Sequence, residues 1–438
     1  MLLPGCAIFG RYDVARIHRD AALRPRNPVI VIPGLMGSRL RHAASDTSSW
    51  GRFSNVFRRG KDDLALPIDR LPLRDNRDGL EADGVIESAA GVKFYGAVLD
   101  VLRRAGGYRV GDIDEPRPGD NCFVFDYDWR RDGVESAIGL GRAIERIRTR
   151  LHAPDLRFDI VAHSMGGMIA EYYLRYGARD LPADGTPPPM TWAGARDLGR
   201  LVLIGTPRRG SMSAFRILNT GLSRSMPPEV LFTMPSLYQL LPQDGRRFLD
   251  PLGQPLPIDL HDPHAWMRNG WSAFNPRLKP GWEPAVMLRF LDAVLDRARA
   301  FRAALDRNAG PAPVPVHRFG SDCVPTLNRV FLVETPRGPE VRFDGGSIPT
   351  MGPQSAEALL MAPGDGSVTA ESLLGFAADD TPHAPGTAHH HEGPVSAFFI
   401  CETHGLLTAN PAFQDNLFYV LLPGTRRAPD AVHAASGD

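Results

Sequence analysis

Lysine is scarce in this chain: Lys61, Lys93 and Lys279 are the only ones in 438 residues, and arginine carries almost all of the positive charge. Lysine plus arginine number 50, and aspartate plus glutamate also number 50, so the formal net charge is zero. A balanced chain has no large positive footprint, which argues against a nucleic-acid partner. The arginine bias reads as coding composition rather than function. Cysteine is scarce too. Cys6, Cys122, Cys323 and Cys401 are scattered without metal-ligand spacing and demand no disulfide framework. Cys122 and Cys401 lie in apolar, strand-like runs and are expected to be small buried hydrophobes. No apolar run approaches the length needed to cross a bilayer. The start, from Met1 to Cys6, lacks the charged leader and long apolar core of a secretory signal. The expectation is a cytoplasmic protein, or one that touches a membrane only at its surface.

Glycine (44) and proline (40) are abundant, so many long connections are expected, while a hydrophobic content of 43% suits a globular chain. Short continuous apolar runs at 29–32, 122–125, 160–162 and 201–204 alternate with helical periodicity at 94–102, 134–151 and 168–176. That alternation predicts an α/β fold with a mainly parallel, doubly wound sheet. Ligands of such sheets gather at the carboxyl ends of the strands. The organisation expected is a core beginning at 1–40, a cap or loop insertion at 41–90 carrying Trp50, Phe53 and Phe57, and core again at 91–210. A proline-rich insertion follows at 211–284, then core at 285–422 and a frayed tail at 423–438. The 211–284 stretch is too long for an ordinary connection. Its Phe215, Leu218, Met226, Leu231, Met234, Leu237, Leu240 and Leu241 are expected to face a substrate groove as a lid. A helical insertion simply packed on the core is the alternative.

The chemistry centres on Ala162, His163, Ser164, Met165 and Gly166, between a buried strand and a helix. Small residues two positions either side of Ser164 permit a sharp strand-to-helix turn that exposes a strained serine. Serine needs a base, and the base an orienting acid. His404, directly after the apolar run 395–400, supplies the first. Asp365, bracketed by Gly364 and Gly366, supplies the second, and Asp322 after another strand is its rival. The order Ser164, Asp365, His404 is that of an α/β-hydrolase. His163 adjoins the nucleophile but should point elsewhere. His383 and the tract His389, His390, His391 sit in a polar loop and read as solvent-facing, so no metal or cofactor is expected. Two backbone N–H groups should receive the oxyanion, that of Met165 at the helix start and that of Leu35 in the loop after the first strand. Gly34 and Gly37 allow close approach there, and Gly34 and Met36 are candidate substrate contacts.

Taken in order, Pro33, Gly34, Leu35, Met36, Gly37, Ser38; Tyr127, Asp128, Trp129, Arg130; Ala162 to Gly167; Gly364, Asp365, Gly366; and His404 resemble the lecithin:cholesterol acyltransferase family. That family includes lysosomal phospholipase A2 and phospholipid:diacylglycerol acyltransferases. The resemblance runs from about residue 27 to 421. It implies an α/β-hydrolase fold with cap and lid insertions, Ser164, Asp365 and His404 as triad, and Leu35 and Met165 as oxyanion hole. Tyr127, Asp128 and Trp129 would shape the floor of the acyl site, or else form a structural unit with Asp128 and Arg130 paired. The implied partners are a lipid ester donor and an alcohol or lysolipid acceptor. A short-chain esterase and a non-catalytic lipid-binding protein are the competing readings.

Overall fold

The structure, a computed structural model, describes residues 26–45, 47–51, 64–89, 92–182, 184–307, 310–348, 350–375 and 395–422. The central sheet has six strands, here numbered in chain order: β1 (Val29–Ile32), β2 (Cys122–Val124), β3 (Phe158–His163), β4 (Leu198–Ile204), β5 (Val316–Gly320) and β6 (Val395–Phe399). Their order across the sheet is β6-β5-β4-β3-β1-β2, and every neighbouring pair is parallel.

The centre of this sheet is covered on both faces, which explains why β1 and the last four residues of β4 read as unbroken apolar runs rather than alternating ones. Successive side chains point to opposite faces. Ile30, Ile32, Ile160, Ala162, Leu201 and Leu203 join one core with helices α2 (Gly133–Leu151), α3 (Met165–Tyr176) and α4 (Pro284–Asp306). Val29, Val31, Val161, Val202 and Ile204 join the other, with α1 (Tyr95–Arg104) and α5 (Pro411–Leu421). This is the α/β-hydrolase architecture with additional insertions.

Helix limits follow local chemistry. The Asp132 side chain accepts from Val134 N–H and starts α2. The 406–421 stretch, which reads as one helix, divides in two. A 3-10 turn (His404–Ala409) is followed by α5, because Pro411 takes the first helical position and the Asn410 side chain caps Ala412 and Phe413. Every residue of α3 is buried, Glu171 and Arg175 included, and Glu171 is matched by Arg208 at 3.2 Å.

The insertions are small ordered units. Around 41–90, Ser38–His42, Ser48–Trp50 and Leu80–Val85 form an antiparallel sheet; Phe53 and Phe57 lie outside the described residues. Within 211–284, short helices such as Met212–Thr220, Pro228–Phe232 and Pro235–Gln239 pack inward. The eight apolar residues expected to face a groove are all buried in the larger core. Phe215 alone meets the rings of Phe248, Trp266 and Trp271 at centroid distances of 5.4, 5.7 and 4.9 Å. Burial of each such side chain is worth roughly 1.5–3 kcal/mol, so in this structure these eight side chains pack on the core rather than line an open groove. Among the described residues no helix is long and apolar enough to cross a membrane.

The expectation for the cysteines is also corrected in part. Cys122 is free and buried, but Cys401 is exposed and bonded to Cys323, 78 residues earlier in the chain. Both lie just beyond the carboxyl ends of neighbouring strands, β5 and β6, where Gly320 pairs with Phe399. Strand adjacency makes the two Cα atoms 5.4 Å apart.

Candidate active site

Three strand ends converge on Ser164. At the end of β3 the chain turns into α3 with Ser164 at φ 55° and ψ −126°, a conformation that a side chain adopts only under constraint. Ser164 N–H donates to the Ile204 carbonyl at 2.7 Å, which pins the turn to β4. The turn has no room for larger neighbours. A Cβ at Gly166 would stand 2.4 Å from the Pro33 carbonyl oxygen, and one at Gly34 would stand 2.7 Å from the Ser164 Cβ. Gly34 therefore lies directly against the serine, and the loop after β1 reaches it only because that side chain is missing.

His404 comes from the loop after β6. Its Nε2 is 2.9 Å from Ser164 Oγ, and its Nδ1 is 2.8 Å from Asp365 Oδ2. The His404 backbone N–H also donates to the Asp365 carbonyl at 2.8 Å. Asp365 is 2% exposed, and its other oxygen, Oδ1, accepts from Ser367 N–H at 2.9 Å and Val368 N–H at 2.7 Å. Burial alone would raise the Asp365 pKa. The positive field of His404, its hydrogen bond and the two backbone donors outweigh that and hold the carboxyl below its ordinary value. The rival Asp322 is exposed, and the carboxylate on His404 Nδ1 is that of Asp365. The Cys323–Cys401 bond ties the start of the His404 loop to the segment whose Val324 bridges Asp365.

The loop bearing Leu35 is held from several sides. Gly37 N–H donates to the Gly34 carbonyl at 3.0 Å, which closes the turn and leaves the Leu35 N–H outside that bond. Met36 has φ 61°, and its carbonyl accepts from Trp50 Nε1 at 3.0 Å. Met165, first residue of α3, belongs to the turn whose N–H groups lack intrahelical acceptors. Tyr127 and Trp129 hold this loop by hydrogen bonds. Tyr127 Oη donates to the Pro33 carbonyl at 2.8 Å, and Trp129 Nε1 donates to the Ser38 carbonyl at 3.1 Å. Trp129 is fully buried and Asp128 is committed to Arg130 at 2.8 Å, while Arg130 also holds Asp78. These contacts brace the loop, and the pairing of Asp128 with Arg130 is the structural arrangement that the sequence allowed for these residues.

Two neighbours were not singled out as site residues from sequence. His163 turns away from Ser164 toward Tyr95 and the His404 carbonyl. Tyr95, at the start of α1, accepts the Gly34 N–H at 2.7 Å. His163 had a signal in its adjacency to the serine; Tyr95 had none, being one aromatic among many. Among the described residues no cluster of three or more candidate ligands could hold a metal ion, and His383 and His389 to His391 lie outside those residues.

No protein-family model matches the chain, and no curated protein matches it. Solved structures do. A chain of the Tle4–Tli4 complex aligns with 90% of this chain and 98% of its own length, at 15% identity and a TM-score of 0.53. The mature form of the Bacillus licheniformis lipase BlEst2 aligns with 91% of this chain and 93% of its own, at 11% identity and a TM-score of 0.38. The first likeness carries the fold across nearly the whole chain.

Proposed function

We propose that this protein is a serine acyl hydrolase of lipid esters, with an acyl-serine intermediate that water or a bound alcohol or lysolipid resolves. The observation that carries the reading is the continuous line Asp365, His404, Ser164, with contacts of 2.8 and 2.9 Å, ending on a strained serine. The ordered motifs that resemble the lecithin:cholesterol acyltransferase family support a lipid ester rather than another acyl donor.

In the first half-reaction His404 Nε2 takes the Ser164 proton as Oγ attacks the ester carbonyl carbon. Negative charge passes to the carbonyl oxygen, for which the N–H groups of Leu35 and Met165 are the donors. The C–O bond to the leaving alcohol then breaks, and that oxygen receives the proton from His404. Asp365 keeps Nδ1 protonated throughout, so Nε2 is free to accept and return the proton. In the second half-reaction a water or acceptor hydroxyl gives its proton to His404 and attacks the acyl carbon. Ser164 departs and recovers its proton.

The deciding experiment supplies the purified protein with a phospholipid or glyceride donor and a panel of long-chain alcohol, sterol, glyceride and lysolipid acceptors. Free fatty acid and acylated acceptor are measured together. Water at about 55 M prevails unless an acceptor is well oriented, since orientation can offset such an excess. Fatty acid alone is the result expected of a hydrolase; a saturable transfer product that rises as fatty acid falls identifies an acyltransferase. Failure of an organophosphonate to label Ser164 in folded protein would overturn the serine chemistry itself. An optimum on acetyl or butyryl esters in a chain-length series would overturn the lipid assignment.

A further inference from the structure

His163 is buried beside the catalytic set, yet the chemistry above does not use it. Both of its ring nitrogens are engaged. Nε2 lies 3.1 Å from the His404 carbonyl oxygen and Nδ1 lies 2.8 Å from Tyr95 Oη. A carbonyl oxygen can only accept, so Nε2 carries a proton. A second proton on Nδ1 would place a cation 4.9 Å, centroid to centroid, from the ring of His404, which itself becomes charged during the reaction. Burial, and then repulsion from His404, lower the pKa of His163 to about 3, in accord with a neutral ring. Nδ1 is then bare, and the Tyr95 hydroxyl donates to it. The Tyr95 oxygen in turn accepts the Gly34 N–H at 2.7 Å.

The bonds therefore run in one direction: Gly34 N–H to Tyr95 Oη, Tyr95 O–H to His163 Nδ1, His163 Nε2–H to the His404 carbonyl. We infer that Tyr95 and His163 are positioning residues that couple the loop bearing the Leu35 donor to the main chain of the catalytic base. The inference rests on the serine acyl chemistry proposed above. Gly34 touches Ser164, and Leu35 follows it, so the tyrosine end governs where the oxyanion donor stands. The histidine end governs His404, whose N–H is already fixed by the Asp365 carbonyl. With both its N–H and its C=O held, the His404 backbone has little freedom to carry its ring away from Ser164. Misplacement of a reacting group by about 1 Å can cost roughly 100-fold in rate.

The test uses the full chain with Tyr95→Phe, His163→Gln, His163→Asn and the Tyr95→Phe/His163→Gln double variant. Glutamine retains a donor near the Nε2 position; asparagine retains an acceptor near the Nδ1 position. Tyr95→Phe and each His163 variant should lower kcat roughly 10- to 100-fold with KM changed less than about threefold. The double variant should lose little more than the worse single one, because members of one unit do not act additively. Losses that multiply, kcat within about twofold of wild type in folded single variants, or a rise in KM alone would each overturn the inference. Should the variants fail to fold, nitrogen NMR of histidine-labelled wild-type protein decides the matter. A neutral His163 protonated on Nε2 at neutral pH is expected, and an Nδ1–H or doubly protonated ring would overturn it. Organophosphonate labelling of wild-type Ser164 separates the two levels: no labelling refutes the serine chemistry, whereas labelling with unimpaired variants refutes only the coupling.

Discussion

Replacing Asp365 by asparagine changes one atom and, on this geometry, should reverse the proton on His404. Oδ1 of Asp365 accepts from two backbone N–H groups, those of Ser367 and Val368, at 2.9 and 2.7 Å. In the amide, that site demands the carbonyl oxygen, so the NH2 group must face His404 Nδ1. Nδ1 then has to accept, the ring proton moves to Nε2, and the nitrogen beside Ser164 Oγ can no longer take a proton. Rotating the amide would restore the tautomer only by aiming NH2 at two backbone donors. Each buried donor left unpaired costs about 1–3 kcal/mol, so the productive arrangement lies about 2–6 kcal/mol up. The imidazolium also loses its facing carboxylate. At about 1.4 kcal/mol per decade the tautomer cost alone lowers kcat by roughly 30-fold to 10⁴-fold, and the lost carboxylate moves the result toward the upper end. The assay is hydrolysis of a long-chain p-nitrophenyl ester near neutral pH, with the rate of organophosphonate labelling of Ser164 and thermal unfolding alongside. Asp322→Asn, at an exposed carboxylate, should stay within about twofold. Activity of Asp365→Asn within about tenfold of wild type would refute the tautomer argument. Collapse in Asp322→Asn with Asp365→Asn intact would transfer the role to Asp322.

Gly205→Ala should impair turnover more than stability: at φ 55° its Cβ would stand 3.0 Å from His404 Nδ1 and 3.1 Å from Asp365 Oδ2, and an unchanged kcat would refute it. Cys323→Ser with Cys401→Ser removes a cross-link spanning 78 residues, worth up to about 4.5 kcal/mol in the chain-entropy account, read from urea unfolding; unchanged stability would count against a clamp on the His404 loop. The His163 pKa falls from 6.5 to about 3 on folding, so between these values the unfolded chain binds more protons and stability decreases as pH falls. That contribution is complete above 6.5 and diminishes by at most about 1.4 kcal/mol per pH unit below it. His163→Gln should flatten this slope in unfolding measured from neutral to acid pH; parallel curves for the two proteins would show that His163 does not titrate between the states.

What neighbouring residues decide is legible in the amino-acid sequence alone. The runs at 29–32 and 201–204 announce strands covered on both faces, because burial pattern is set by the side chains themselves. Ala162 and Gly166 signal the tight packing around Ser164, and Gly364 and Gly366 the turn at Asp365, since small residues determine where a chain can bend sharply. Pro411 shows the limit of such reading even locally, for it breaks a helical pattern that the apolar spacing alone would carry through.

Contacts between distant segments were decided only by tertiary structure. Cys323 and Cys401 meet because β5 and β6 are neighbours, and neither sits in a pattern that encodes that adjacency. Tyr95 joins Gly34 and His163 from positions 61 and 68 residues away, through an α1 start that the sheet places beside two strand ends. The apolar residues of 211–284 illustrate the same division: their hydrophobicity says that they must leave water, but a lid over lipid and a packed insertion satisfy that demand equally. Which surface meets them depends on how the whole chain closes around α4 and the small sheet containing Phe248, and hydrophobic burial has no direction of its own.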